Sequence, residues 1–280
     1  MSIRTPGLAA VVLTVALISV PVAQAAPVTP VTLIDNASTV QVDVGSQLGM
    51  YTWDVSGTDQ LQQQWFWYRI GSTGPESSVD TLAAPFYGTT DTNFDGDQDT
   101  LFVRYIGAQI QVELTFTLTG TDFGTPSSDI AETIKLKNLT GHPLELHFFE
   151  YCNLDLGANQ EDQSVQIVGG NTAQQQDIGY YASETVETPN ATYRRVDFAP
   201  TILNLLNDAL PTVLMNDNLG PIGPGDLTWA FQWDVTLGAA GSGTEVLLIS
   251  KDKQLVPEPA TMMLLTAGGA LLMLRRRRRR

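Results

Sequence analysis

Large apolar residues alternate with polar or small residues along much of the chain. The longest such run covers residues 227–237, where Trp229, Phe231 and Trp233 share one face. Residues 111–118 alternate in the same way. A period of two with one apolar face is typical of half-buried strands in antiparallel sheets.

Further segments have strand character, and Gly, Asn, Asp and Pro fill the gaps between them: residues 40–44, 65–70, 101–106, 134–137, 144–151, 164–168, 193–198 and 245–250. Only residues 201–210, between Pro200 and Pro211, carry apolar positions at helical spacing. Strands do not alternate with helices, so a parallel α/β sheet is disfavoured. The pattern predicts an all-β fold, an antiparallel β-sandwich of ten or more strands with one short helix near 201–210.

The N-terminus has the three parts of an export signal. Arg4 supplies a positive charge, residues 8–22 form an apolar run, and Ala23-Gln24-Ala25 places small residues at the end. These features predict a signal peptide over residues 1–25, removed by signal peptidase after Ala25. Retention of the segment as a helix is the alternative.

The C-terminus carries a second ordered signal. Val256-Pro257-Glu258-Pro259 leads into the apolar run 260–274, which ends in six arginines, Arg275 to Arg280. Fifteen apolar residues are fewer than the roughly 20 that span a bilayer. A short helix can still cross when the bilayer thins. The run therefore predicts a short transmembrane helix with its arginines on the cytoplasmic side.

This tail resembles the PEP-CTERM sorting signal of Gram-negative bacteria, with Pro257, Glu258 and Pro259 as the processing motif. The resemblance implies recognition by an exosortase, a membrane protease or transpeptidase, and many such proteins belong to exopolysaccharide or biofilm matrix. The predicted division is a signal peptide at 1–25, an exported β-sandwich at 26–255 and a sorting signal at 256–280. The expected location is the cell surface or exterior, after transient anchoring in the inner membrane.

The excess of acidic over basic residues limits the classes of binding partner that we expect. The sequence has 30 acidic and 15 basic residues, a formal net charge of −15. Without Arg4, Glu258 and the six terminal arginines, 29 acidic and 8 basic residues remain, a net charge near −21. Such a body repels phosphates and anionic membranes. We expect no nucleic acid partner and consider calcium, neutral glycans or basic surfaces instead.

Residues 91–99 are the most specific candidate for a metal site. They resemble the first nine positions of an EF-hand loop, with Gly96 at the sharp turn and oxygen ligands expected from Asp91, Asn93, Asp95, Asp97 and Asp99. Phe102 stands where a bidentate Glu is expected, and a strand follows. The pattern argues against a true EF-hand. A calcium-binding turn and a solvated acidic loop both remain open.

Two other groups of residues allow both a functional and a structural interpretation. Asp155, Glu161 and Asp162 lie in a second acidic loop, which could complete a metal site, touch sugar hydroxyls or form plain surface. The run Trp65-Phe66-Trp67-Tyr68 is apolar on both faces. That run fits a central strand packed on both sides, and the alternative is a platform on which sugars stack.

Little in the sequence supports catalysis. Cys152 is the only cysteine, and His147 lies five residues away on a predicted strand, so the two side chains point to opposite faces. They cannot form a dyad, and a buried inert thiol is expected. The leading hypothesis is a non-enzymatic surface or matrix protein. The alternatives are a secreted glycan-active enzyme or glycan-binding module, and a small-ligand carrier.

Overall fold

The strands form two antiparallel sheets that stack face to face. A computed structural model describes residues 30–122, 127–158 and 160–257. Within these residues the strands are β1 (Val31–Asp35), β2 (Ser38–Asp43), β3 (Gly49–Val55), β4 (Thr58–Asp59), β5 (Leu61–Ile70), β6 (Ser77–Ser78), β7 (Phe86–Thr90), β8 (Thr100–Ile106), β9 (Ile110–Gly120), β10 (Ser128–Asn138), β11 (Leu144–Leu154), β12 (Gln163–Val168), β13 (Thr172–Asp177), β14 (Tyr180–Thr188), β15 (Tyr193–Phe198), β16 (Ile222–Gly225), β17 (Leu227–Leu237) and β18 (Val246–Pro257).

Each sheet contains nine strands. The first sheet has the order β1-β2-β3-β5-β11-β17-β15, with β4 beside β3 and β6 beside β5. The second has the order β16-β12-β13-β14-β18-β10-β9-β8-β7. Every pairing is antiparallel except that of β3 with β5. The predicted antiparallel β-sandwich is confirmed, and β18 lies at the centre of the second sheet.

The inward faces of the two sheets form an aromatic core. The rings of Phe66 on β5 and Phe148 on β11 stack with centroids 5.7 Å apart. Phe116 on β9 reaches across from the second sheet to within 6.3 Å of Phe66. The stripe predicted on β17 is buried, since Trp229, Phe231 and Trp233 are at most 1% exposed. Alternation in the sequence therefore identified this face correctly.

A third layer covers the outer face of the first sheet. It consists of a 3-10 turn at Val79–Thr81 and the helix α1 (Thr201–Leu206). The predicted helix over 201–210 is too long. It ends at Leu206 because the Asp208 carboxylate accepts a hydrogen bond from the Leu210 N–H (2.7 Å) and so turns the chain.

Two predicted segments lie outside the described residues, namely the signal peptide at 1–25 and the membrane helix at 260–274. Across 30–122, 127–158 and 160–257, no helix has the length and hydropathy to cross a membrane.

Candidate functional site

The predicted calcium loop joins β7 to β8, and its oxygen atoms accept backbone hydrogen bonds. The two carboxylate oxygens of Asp91 accept from the N–H groups of Phe94 (2.6 Å) and Gly96 (3.0 Å). Asp95 Oδ1 accepts from the Asp97 N–H at 2.9 Å, and Asn93 Oδ1 accepts from the Asp95 N–H at 3.0 Å. The loop is thus held by local turns of the kind that Asp and Asn favour.

Asp99, the last predicted ligand, points into the protein. It is 2% exposed and accepts hydrogen bonds from the Thr92 N–H (2.9 Å) and the Thr92 hydroxyl (2.7 Å). Burial alone would raise the pKa of Asp99, but these bonds and one from Thr100 lower it. Among the described residues, no three His, Cys, Asp or Glu side chains are arranged to hold a metal ion. Calcium binding by this loop stays a prediction.

The second acidic loop contributes to a crowded group of carboxylates at one end of the sandwich. Burial raises the pKa of Asp155, and Asp226 and Asp59 raise it further. The pKa of Asp177 is also raised, first by burial and then by Asp162. Carboxylates that raise one another's pKa are repelling like charges. This end of the body is therefore strongly acidic at neutral pH.

The aromatic run on β5 is core on both faces. Phe66 points between the sheets, while Trp65 and Trp67 point to the third layer, and all three are fully buried. The Trp65 indole N–H donates to Asp80 Oδ1 (3.1 Å), and that of Trp67 donates to Asn207 Oδ1 (3.2 Å). The two-sided packing is confirmed. The sugar-platform alternative is wrong for Trp65, Phe66 and Trp67, because all three rings are fully buried.

The two residues considered for nucleophilic catalysis are separated by the sheet. Cys152 faces the interior, and burial raises the pKa of its thiol well above the usual value. His147 lies on the opposite face, where its Nδ1 is 2.7 Å from Asp234 Oδ1. The expectation that these side chains form no dyad is confirmed. A buried protonated thiol of this kind is a poor nucleophile.

A cluster of charged side chains lies buried between the sheets, and the sequence patterns did not predict it. We call it the buried ionic cluster, and its members are Lys251 and Lys253 of β18, Glu132 of β10, Glu184 of β14, Glu150 of β11 and Gln64 of β5. None of these residues is more than 2% exposed. Carboxyl groups from β10, β14 and β11 and the uncharged amide of Gln64 from β5 thus meet the two lysines of β18.

The geometry of the buried ionic cluster is a set of shared ion pairs. Lys251 Nζ lies 3.0 Å from Glu132 and 3.0 Å from Glu184, and it also contacts Glu150. Lys253 Nζ lies 3.0 Å from Glu184 and 3.3 Å from Glu132. Each ammonium group therefore bridges at least two carboxylates. Such sharing compensates the loss of water around buried charges.

The protonation states balance the charge of the cluster. Burial and the negative charge of Glu184 raise the pKa of Glu150 well above its usual value, which favours the protonated, neutral form of this carboxyl. Burial would also raise the pKa of Glu184, but Lys251 and Lys253 lower it to about 2. Two ammonium groups then face the two carboxylates of Glu132 and Glu184. A neutral interior results, as buried charges require.

A signal for this cluster was present in the sequence. Lys251 and Lys253 alternate with polar residues between Ile249 and Leu255, which places them on the inward phase of their strand. Glu132 stands in the same way between Ile130 and Ile134 on β10. A charged residue at a position that should face the apolar core indicates either that the strand lies at an exposed edge or that the charge has a buried partner. Sequence alone did not tell which strands supply those partners.

A polar cleft opens on the outer side of the first sheet, beside the third layer. Its volume is about 500 Å³, and its lining residues are Ser46, Gln47, Glu76, Ser77, Ser78, Asp80, Thr81 and Asn207. The side chain of Glu76 is buried and pairs with Arg69. Glu76 Oε1 also accepts from the Thr212 N–H at 2.9 Å, while Oε2 accepts no hydrogen bond. The Glu76 side chain is fully buried, so this acceptor lies beneath the surface of the cleft.

The described part of the chain ends with the last residues of β18. The β18 strand pairs with β10 as far as Leu255, opposite Ser128. On its other side it pairs with β14 as far as Pro257, opposite Tyr180. The strand therefore extends past residue 255, where the exported domain was predicted to end.

The tail matches a known sorting element. Residues 255–279 match the PEP-CTERM protein-sorting motif, which agrees with the resemblance of Pro257-Glu258-Pro259 and the segments after it. This motif marks an exported protein that an exosortase processes. No curated protein matches the chain.

The body has relatives among solved structures at the level of fold. A bacterial glucoamylase solved with acarbose matches 80% of this chain at 7% identity and a TM-score of 0.54. The chain spans 31% of that enzyme's length. An assigned aldose 1-epimerase of Escherichia coli K12 and a galactose mutarotase related enzyme of Lactobacillus acidophilus each match 82% of the chain, at 11% and 7% identity. Both have a TM-score of 0.47, and the chain spans 99% and 98% of their lengths. At these identities the glucoamylase match indicates a shared fold alone.

Proposed function

We propose that this protein is a non-enzymatic component of the cell surface or extracellular matrix, delivered there by exosortase sorting. The observation that carries the proposal is the sorting motif at 255–279, attached directly to a well-packed body. Signal peptidase removes residues 1–25, and the exosortase acts at Pro257-Glu258-Pro259. Before that step, the helix at 260–274 anchors the chain in the inner membrane.

A structural role is supported by the surroundings of the ionisable groups. The buried carboxylates Glu132, Glu150 and Glu184 lie between the sheets, where no substrate can reach them. Cys152 is equally buried. Catalytic groups need contact with the reacting atoms. These buried groups therefore support a role in the fold and not in a reaction.

The test follows the chain through export in its own host. We expect to find the wild-type body outside the cytoplasm. Its measured mass should correspond to a chain that begins at Ala26 and lacks the arginine tail. Deletion of the exosortase, or replacement of Arg275 to Arg280 by glutamine, should leave unprocessed chain at the inner membrane. Normal processing and location in both cases would contradict sorting by the tail.

A second candidate function is the binding of a neutral glycan in the polar cleft. The Asp80 carboxylate and the hydroxyl and amide groups that line the cleft suit a ligand that offers many hydroxyl groups for hydrogen bonding. Sugars carry such hydroxyls in neutral form, which an exported acidic body can accept.

Calorimetric titration with neutral oligosaccharides tests this candidate. Asp80→Asn should weaken binding about 10-fold, because one lost hydrogen bond to a charged group is worth about 1.5 kcal/mol. Asp217→Asn, outside the cleft, is the matched control. Equal affinity in both variants, or no heat in the wild type, would remove the cleft as a glycan site. Release of reducing sugar during the titration would favour a glycan-active enzyme.

A further inference from the structure

The sorting motif and the central strand of the second sheet overlap. The motif begins at Leu255, and β18 ends at Pro257, so three residues belong to both. Leu255 pairs with Ser128 on one side and with Ala182 on the other. The structure contains no spacer between the folded body and the first residues of the motif.

Side chains at this end of β18 resist fraying. Lys253 and Leu255 point inward and are at most 1% exposed. Opening the strand back to Lys253 would remove that ammonium group from Glu132 and Glu184. Unpaired buried carboxylates are strongly destabilising. Local opening of β18 should therefore be rare, in contrast to the fraying of most chain ends.

We propose that the fold itself defines the N-terminal limit of exosortase processing, so that the cut falls on the C-terminal side of Pro257. The inference rests on the proposed sorting by the tail. A protease must reach the carbonyl carbon of the scissile bond with an extended, accessible chain around it. Every residue from Val246 to Pro257 pairs on at least one side within the sheet. The Pro257–Glu258 bond is the first peptide bond after the paired residues.

The chemistry of the step is peptide cleavage or transpeptidation. The C–N bond of the scissile peptide breaks, and the acyl group of the body passes to water or to an amine acceptor. The amine of the released tail takes the proton. The mature body therefore keeps all of β18, including Lys251 and Lys253.

The decisive experiment is peptide mapping of the mature C-terminus from the native host. We expect every C-terminal peptide to end at Pro257 or beyond it. A mature end within residues 246–256 would overturn this inference while leaving sorting intact. A body that retains Arg275 to Arg280 would overturn sorting itself, and the inference with it.

A second measurement tests the protection without the exosortase. The purified full chain in detergent is treated with a nonspecific protease, and the molecular mass of the trimmed body is measured by mass spectrometry. We expect trimming to stop at or after Pro257. A variant with eight Gly and Ser residues inserted between Val256 and Pro257 should be trimmed within the insert. Trimming of the native chain into 246–256, with the body still folded, would contradict the proposal.

Discussion

The protein holds two groups of carboxylates that it stabilises in opposite ways. The exposed loop at 91–99 uses nearby backbone N–H groups, as Asp91 does with Phe94 and Gly96. The buried ionic cluster uses Lys251 and Lys253, more than a hundred residues from Glu132 in the chain. The loop is held mainly by hydrogen bonds among its own residues, with one from Asn93 to Asp35 (3.0 Å), whereas the cluster exists only when both sheets have formed.

The difference shows where this acidic body uses its positive charge. After loss of both signals about eight basic residues remain, and three of them, Arg69, Lys251 and Lys253, are buried. Few cations are left to neutralise the surface. Removing a buried cation should therefore have a much larger effect than changing the exposed loop.

The largest effect is expected from Lys251→Met. This change leaves Glu132, Glu150 and Glu184 without their shared ammonium group, and breaking a buried pair in this way costs about 3–5 kcal/mol. Denaturant unfolding measures the loss. The control is Lys135→Met on β10, a half-exposed lysine that pairs with Glu113 at 3.1 Å. Its loss should be about 1 kcal/mol or less. Equal losses would show that burial of the cluster does not matter.

A comparable effect is expected in the apolar part of the same interior. Phe231 is fully buried among Trp233 and its neighbours, so Phe231→Ala should cost about 3–5 kcal/mol. Phe94→Ala is the matched change in the acidic loop, where the ring is 88% exposed. Thermal unfolding should shift strongly for the first variant only. A negligible shift in the unfolding temperature of Phe231→Ala would contradict the placement of Phe231 in the core.

A smaller, pH-dependent effect is expected from Glu150→Gln. Burial raises the pKa of Glu150 in the folded state well above its usual value of 4.5, so folding takes up a proton in the pH range between these two pKa values. A raised folded pKa gives stability that is present below that value and is lost as the pH rises. The glutamine variant lacks this loss. Between pH 4 and pH 8, the free energy of unfolding of this variant should increase relative to that of the wild type, as measured by denaturant unfolding. A difference in stability that does not depend on pH would contradict a protonated Glu150.

Asp129 on β10 should contribute a pH dependence of stability that has the same sign and a smaller magnitude. Burial and the neighbouring Asp252 raise its pKa from 3.8 to about 7. The wild type should therefore lose stability relative to Asp129→Asn as the pH rises from about 4 to 7. The group is partly solvated, so we expect about 1 kcal/mol or less. A wild type that gains on the variant over this range would show that Asp129 is not destabilised by its surroundings.

The smallest effect is expected from calcium. The loop carboxylates already accept backbone hydrogen bonds, so millimolar Ca²⁺ should stabilise the body by no more than about 0.4 kcal/mol, the value at one dissociation constant. Thermal unfolding with calcium and with chelator measures this. Asp95→Ala combined with Asp97→Ala should abolish any response. A response that survives in the double variant would mean that calcium binds elsewhere.

Sequence patterns predicted the parts of the fold that depend on neighbouring residues. The alternation of residues 227–237 identified β17 and its inward stripe, and the apolar faces of β5 indicated a strand packed on both sides. The end of α1 was misplaced because the turn at Asp208 is a side-chain effect that periodicity does not record.

The buried ionic cluster could not be predicted because it depends on strand order. Lys251 and Lys253 meet Glu184 and Glu132 only because β18 inserts between β14 and β10. Glu150 joins them from the opposite sheet. Such contacts across the chain follow from topology, which the alternation of single strands does not determine. The acidic loop, in contrast, could be identified as a candidate site because its pattern lies within nine consecutive residues.

Native-state hydrogen exchange of the full chain tests most directly whether the strand that carries the tail is the centre of the fold. If it is, amides of residues 247–255 exchange only through global unfolding, as slowly as those of residues 146–152 in β11. Amides of residues 92–97 in the acidic loop exchange far faster. Exchange of residues 247–255 at the rate of the loop would contradict a β18 strand locked in place by its buried lysines.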